Sequence, residues 1–287
     1  MKFVSKLSEH SLICNELQVK DYKELIKCIM GDNPDIDAFI ETFVTVLSNT
    51  TNKPTDFIRT LNIIDLIYLL IDIRYNSLGT CKLVVNDEDK KINLELNLET
   101  SKNDIANIFE SCRRKLKYNN IEVELAVPSL ARLHEKFTEE YIPYIANCTF
   151  QGVNNFEVST NEQAVKVFDL LPPKFSLEIL SGFSDLARQI CTVDLLKPYN
   201  ISNQQLIILP TLEFLIWLTK LLFNEPLSSL YENLFGLSFS GRMNAEYVEN
   251  LSVGEYNYFL GLLKQALTPK DNTPSNIHQP ADFSDGL

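Results

Sequence analysis

LIYLLIDIRYNSLG, Leu66–Gly79, is an apolar run that carries a single arginine, Arg74, near its end. Wound into a helix at roughly 100° per residue, it aligns Asp65, Asp72 and Asn76 on one narrow stripe. Ile63, Ile67, Leu70 and Arg74 fall on the opposite side. The spacing predicts a helix capped by Asn62 and stopped by Gly79, with its only cation on the face that should be most buried. Arg74 is therefore expected to be buried and paired, because a rigid fork of five donors near a helix end satisfies carbonyls or a carboxylate. Ser77 and Gly79 are expected to shape the turn that follows.

Upstream, MKFVSKL and HSLICNEL read as two short strands joined by a polar turn. VKDYKELIKCIMG places Val19, Tyr22, Leu25, Ile26 and Ile29 at helical spacing and stops on Gly31. NPDIDAFIETFVTVL repeats the pattern, with Asp35 as N-cap and Ile36, Phe39, Ile40, Phe43 and Leu47 on one face. Downstream, CKLVV, the acidic turn NDEDK and INLELNL form a hairpin, since Ile92, Leu94, Leu96 and Leu98 alternate with polar residues. IEVELAV alternates likewise, with Ile121, Val123, Leu125 and Val127 inward, while NDIANIFESCRRKLK between them reads as a helix. From about Pro128 the pattern is helical, with capping boxes expected at Ser159/Glu162 and Ser252/Glu255, the second stapled by Leu251 and Tyr256.

The fold expected is α+β and mainly helical: a small antiparallel sheet with packed helices, followed by a helical C-terminal half. The corresponding segments are an α+β unit over 1–128, a mainly helical unit over 129–267, and a tail over 268–287. The tail, rich in proline and without periodicity, is expected to stay disordered unless a partner orders it.

The 287 residues are 45% hydrophobic and carry a net charge of −12. Acidity of that size disfavours phosphate backbones and anionic membranes, so neither nucleic acid nor membrane is an expected partner. Leu206–Phe223, the most apolar stretch, contains Pro210, Glu213 and Lys220 and suits a buried or interfacial helix better than a span. No apolar segment follows the N-terminal charges, so no signal peptide is expected. The six cysteines are widely spaced, without CxxC, and read as reduced thiols rather than zinc ligands.

Chemistry-bearing motifs are scarce. Neither a phosphate loop nor a dinucleotide fingerprint occurs, and only nine glycines are present. GLSFSG, Gly236–Gly241, has its second glycine one place too late for a nucleophile elbow and reads as a loop between helices. His10, His134 and His278 lie far apart, and the acidic Asp87–Asp89 run lacks calcium-loop spacing. Neither a metal nor a cofactor is expected. CRRKLK supplies Arg113, Arg114, Lys115 and Lys117 as the one dense basic patch, placed at the end of the expected helix, where cations offset the macrodipole and could dock an acidic protein surface. The helix around Trp217 is apolar nearly all round, with Glu213, Lys220 and Asn224 at its polar edge, and so is either central to the core or shared with another chain.

An amphipathic helix, an N-P break and an apolar helix closing on I-R-x-x-S-x-G resemble the baseplate hub assembly proteins of T-even-type tailed phages. The segments concerned are VKDYKELIKCIMGD, FIETFVTVLSNTT and LNIIDLIYLLIDIRYNSLGTCKLVV, with a fainter echo in SSLYENLFGLSFSGRMNAEYVENLSVGEYNYFLGLLKQAL. Ile73, Arg74, Ser77 and Gly79 match the motif. The resemblance implies a non-enzymatic assembly factor or structural component of the central hub of a contractile tail. It also implies hub or tail proteins as partners, location in the host cytoplasm during assembly or in the virion baseplate, and no catalytic residues. A second reading is an α+β enzyme or regulatory binding domain whose site is assembled from residues distant in sequence.

Overall fold

The computed structural model describes residues 2–31, 34–87, 90–150, 156–199, 201 and 204–268. The chain begins with β1 (Lys2–Lys6) and β2 (Ser11–Asn15), then α1 (Val19–Cys28), α2 (Ile36–Thr51), α3 (Thr55–Thr60) and α4 (Ile63–Leu78). Next come β3 (Cys81–Asp87), β4 (Lys90–Leu96), α5 (Leu98–Ala106), β5 (Arg113–Tyr118), β6 (Ile121–Ala126), α6 (Leu130–His134), β7 (Ile145–Phe150) and β8 (Phe156–Glu157). The remainder is helical: α7 (Asn161–Asp169), α8 (Pro173–Ile190), α9 (Leu212–Leu222), α10 (Leu227–Phe239), α11 (Ala245–Asn250) and α12 (Val253–Leu267). The fold is α+β and mainly helical, with three antiparallel sheets among the described residues: β1–β2, β3–β4, and β5–β6–β7–β8.

The central element is α4. Asn62 Oδ1 accepts from the Asp65 amide at 2.8 Å, and Gly79, at φ 70° and ψ −129°, closes the helix with its N–H on the Tyr75 carbonyl. That backbone region is essentially reserved for glycine. Twelve residues of α4 are buried, Asp65, Asp72 and Ser77 among them. Helices α5, α9 and α12 pack on it. Asp35 caps α2 through the amides of Asp37 and Ala38, and the Ser252/Glu255 box caps α12, as expected. The tail, apart from Thr268, and the acidic turn at 88–89 lie outside the described residues.

Four expectations need correction. CRRKLK is not the end of a helix: α5 starts at Leu98, capped by Asn97, and stops at Ala106, and Arg113 opens β5. The competing force is strand pairing, because β6 needs a partner and Asn119, at φ 50°, makes the left-handed turn that returns the chain. Second, the helical pattern expected from Pro128 onward is interrupted, since β7 and β8 extend that same sheet before the chain becomes mainly helical. Third, the capping box before α7 is Thr160/Gln163, one residue later than Ser159/Glu162. Fourth, most of GLSFSG is the last turn of α10 rather than a loop. Helix α8 covers the larger sheet closely: a Cβ on Gly182 would lie 2.8 Å from Leu116 Cδ1.

Burial also reaches polar groups. Asp21, 6% exposed, accepts from Asn49 Nδ2 at 2.9 Å, and burial raises its carboxyl above the usual range. A raised native pKa means that this group's stabilising contribution is complete below the unfolded value of about 3.9 and is lost as pH rises through the native value. Asp21→Asn, neutral throughout, should therefore raise the melting temperature at pH 7, and the gain should shrink as pH falls toward 4. Melting curves of both proteins across that window check this; a mutant less stable at pH 7 would count against it.

Candidate docking surface

The end of α4 ties together three segments. Ser77 Oγ accepts the Leu17 amide at 2.9 Å, and the Leu17 carbonyl accepts the Val253 amide at 2.8 Å. The Val19 amide in turn donates to the Leu251 carbonyl at 3.0 Å, so the entries to α1 and α12 are stitched to each other beside α4. Arg74 sits one turn earlier. Its Nη2 donates to the Thr80 carbonyl at 2.7 Å, while Nε and Nη1 are buried without an acceptor among the described residues. Burial lowers the guanidinium pKa, opposed by nearby Cys81, Tyr22 and Glu225. Glu225 is instead held by the Tyr22 hydroxyl at 2.9 Å. Arg74 thus pins the helix end to the start of β3 through one carbonyl.

The basic residues lie on edge strand β5 and face acids of their own chain. Arg113 pairs with Glu9 and with Glu124 at 3.4 Å, Lys115 with Glu122 at 3.5 Å, and Lys117 with Glu122 at 2.9 Å. Arg114 reaches Asp185 of α8 at 2.8 Å. Lys117 first, and Lys115 beside it, hold Glu122 below the usual carboxylate range. The run is a cross-strand ladder, and charge on an exposed edge also discourages pairing with foreign strands.

Helix α9 buries Leu212, Phe214, Leu215, Ile216, Leu218, Thr219 and Leu222 and turns Trp217 outward, 43% exposed beside Phe214 at 5.7 Å between centroids. A second outward aromatic face was not foreseen. Tyr231, Phe235 and Phe239 occupy successive turns of α10, and the two phenylalanine rings stack at 5.3 Å and 9°. The four-residue spacing in LYENLFGLSF carried that signal.

Arg132 of α6 was also missed. Nε donates to Asn161 Oδ1 at 2.7 Å, Nη1 to the carbonyls of Val158 at 2.7 Å and Ile145 at 3.3 Å, and Nη2 to the Ile142 carbonyl at 3.1 Å. Nothing in SLARLHEK announces it, because every acceptor lies ten or more residues away. Arg132 lines a cleft of about 520 Å³ that also meets Ser8, His10, Asp65, Cys112 and Arg113. Burial raises the Asp65 carboxyl above its ordinary range, while Ser8 N and Oγ and Asn62 Nδ2 bond it at 2.7 to 2.8 Å. Burial pushes the Cys112 thiol up to about 12, so it is not a thiolate at neutral pH. These groups are engaged in holding elements together. His10 packs against Phe57 with the rings tilted by 60° and His134 meets Asp37 at 2.7 Å, while His278 lies outside the described residues. No three His, Cys, Asp or Glu side chains converge as a metal-binding group among the described residues, and no helix there is long and apolar enough to cross a membrane.

The chain is a mixed α+β body organised around one buried helix, with aromatic side chains presented on its C-terminal helices. A family profile described as T4 bacteriophage base plate protein matches residues 1–191, and the chain belongs to this family. No curated protein and no solved structure matches it. Membership assigns a structural or assembly role in the phage baseplate, in contact with other baseplate or tail proteins.

The two arginines should respond differently to substitution. Arg132→Met leaves several buried acceptors unpaired, each costing about 1 to 3 kcal/mol, and should lose at least about 3 kcal/mol of stability. Arg74→Met loses one bond and relieves two unpaired buried donors, so it should change stability by no more than about 1 kcal/mol. Urea denaturation of both variants is the check; equal losses would contradict the contrast.

Proposed function

We propose that the chain is a non-enzymatic assembly factor or structural component of the central hub of a contractile tail baseplate, acting through protein contacts. The observation that carries this reading is the family match over residues 1–191. That span contains IDIRYNSLG, the segment resembling hub assembly proteins, and α4, the helix on which the core is built. The reading needs no cofactor, metal or nucleotide. It places the protein in the host cytoplasm during assembly and in the virion baseplate if it remains bound.

Trp217 is the proposed anchor for a hub partner: an outward indole on a helix whose other faces are held by the core. The basic strand contributes less in this proposal, because Arg113, Arg114 and Lys115 already have acidic neighbours. Co-expression with phage hub and tail proteins should give a stable complex or make a partner soluble. Trp217→Ala should weaken that complex by about 2 kcal/mol or more, as interface aromatics do, while its own melting temperature shifts little. A large loss of melting temperature would place Trp217 in the core. Failure to co-purify with any hub or tail protein, together with absence from virions and assembly intermediates, would overturn the hub reading.

A further inference from the structure

We propose that the polar cleft between the entry to α1 and the end of α2 binds a lysine ammonium of a partner protein, with Asp21 as its counter-ion. The cleft measures about 600 Å³, within the range of ligand pockets. Gln18 and Asp21 line it from the α1 side, and Ser48, Asn49, Thr50 and Asn52 from the end of α2.

Asp21 is a buried charge that its own chain leaves without a counter-charge. It is 6% exposed, and its one hydrogen bond among the described residues comes from Asn49 Nδ2 at 2.9 Å. Both lysines that line the cleft are engaged elsewhere: Lys20 Nζ donates to Asn250 Oδ1 at 3.0 Å, and Lys53 Nζ lies 5.7 Å from the centroid of the Phe57 ring. A place in the first turn of α1 modestly favours an acid. Burial outweighs the help from Asn49 and Lys20, because the carboxyl stays above its ordinary range. An asparagine would keep the Asn49 bond with no charge to desolvate, so packing alone gives no reason for a carboxylate here. A local cost of this kind is expected where a group serves binding.

The surroundings select a cation and specify its type. The last four carbonyls of a helix have no partner within it, and α2 carries no basic residue in its last turn to offset the negative end of its dipole. Glu16 adds a second acid to the lining, and the net charge of −12 draws basic partners toward the chain. The donor set does not suit a metal ion, since no three His, Cys, Asp or Glu side chains converge among the described residues. One Asp21 oxygen is already engaged by Asn49, which works against the bidentate fork of an arginine and suits the compact ammonium of a lysine. The terminal α2 carbonyls are the acceptors for the donors that Asp21 does not take. The site is on other helices than Trp217 and does not depend on the partner being a hub protein.

The test is a titration of the isotope-labelled full chain with acetyl-lysine methylamide at constant ionic strength, followed by amide chemical shifts. Shifts at residues 20–21 and 48–52 should saturate, with the probe raised to roughly 50 mM because one contact of this kind gives millimolar affinity. Acetyl-norleucine methylamide, which has the stem without the charge, should produce none of them. Asp21→Asn should melt higher at pH 7, which confirms its folding. It should bind the probe at least roughly thirty-fold more weakly, the loss when one partner of a buried charge pair is removed. Absence of saturable shifts at these residues overturns the proposal, as does binding that Asp21→Asn retains. Tighter binding of acetyl-arginine methylamide overturns the assignment to an ammonium.

Discussion

A helix buried on nearly every side needs partners for the polar groups it carries, and at Asp65, Asp72 and Ser77 α4 finds them in distant parts of the chain, whereas Asp72 Oδ2 and two of the Arg74 donors have none among the described residues. Asp65 is satisfied by Ser8 in the β1–β2 turn and by Asn62. Asp72 pairs with Lys102 of α5 and accepts from Asn76, and Lys102 also lies over the rings of Tyr68 and Tyr75 at 5.8 and 5.3 Å. Ser77 takes the Leu17 amide, which brings the entries of α1 and α12 to the same place. An unpaired buried group of this kind costs about 1 to 3 kcal/mol, so these contacts fix where the surrounding elements sit as well as holding them.

That arrangement separates scaffold from surface. The family match ends at residue 191, and α4 with its polar partners from the β1–β2 turn, the segment before α1 and α5 lies inside it. Trp217 and the α10 aromatic face lie beyond it, on helices that pack back onto α4 and α1. The matched portion supplies the frame and the Asp21 cleft, while the C-terminal helices present the outward aromatic side chains. The buried thiols fit the same picture: burial raises Cys14 and Cys112 to about 12, leaving them as packing groups rather than nucleophiles.

Elements whose identity rests on local signals were legible in the sequence. Periodicity, Asp35, Asn62 and Gly79 marked α2 and α4, and the Ser252/Glu255 pair marked the start of α12. The basic strand was misread because RRKLK has sound helix propensity, and only pairing with Glu122 and Glu124 across the turn at Asn119 makes it a strand. Arg132 was invisible because its acceptors come from β7, the turn before it, the segment after β8 and the start of α7. The α10 stripe was readable, but four-residue spacing alone does not say which face is outward. That depends on Leu230 and Leu237 finding the core.

Helix α4 holds the N-terminal elements and the C-terminal helices in one cooperative body, whose buried residues form a continuous apolar cluster from Leu7 to Leu260. Trp217 is the only tryptophan and reports on the C-terminal helices, whereas far-UV circular dichroism reports on the whole chain. Urea unfolding followed by both probes, in the wild-type protein and in Ser77→Ala, tests the claim most directly. One body predicts coincident transitions in each protein, with both midpoints lowered together by the substitution. A tryptophan transition displaced from the circular dichroism transition, or lowered alone by Ser77→Ala, would contradict it.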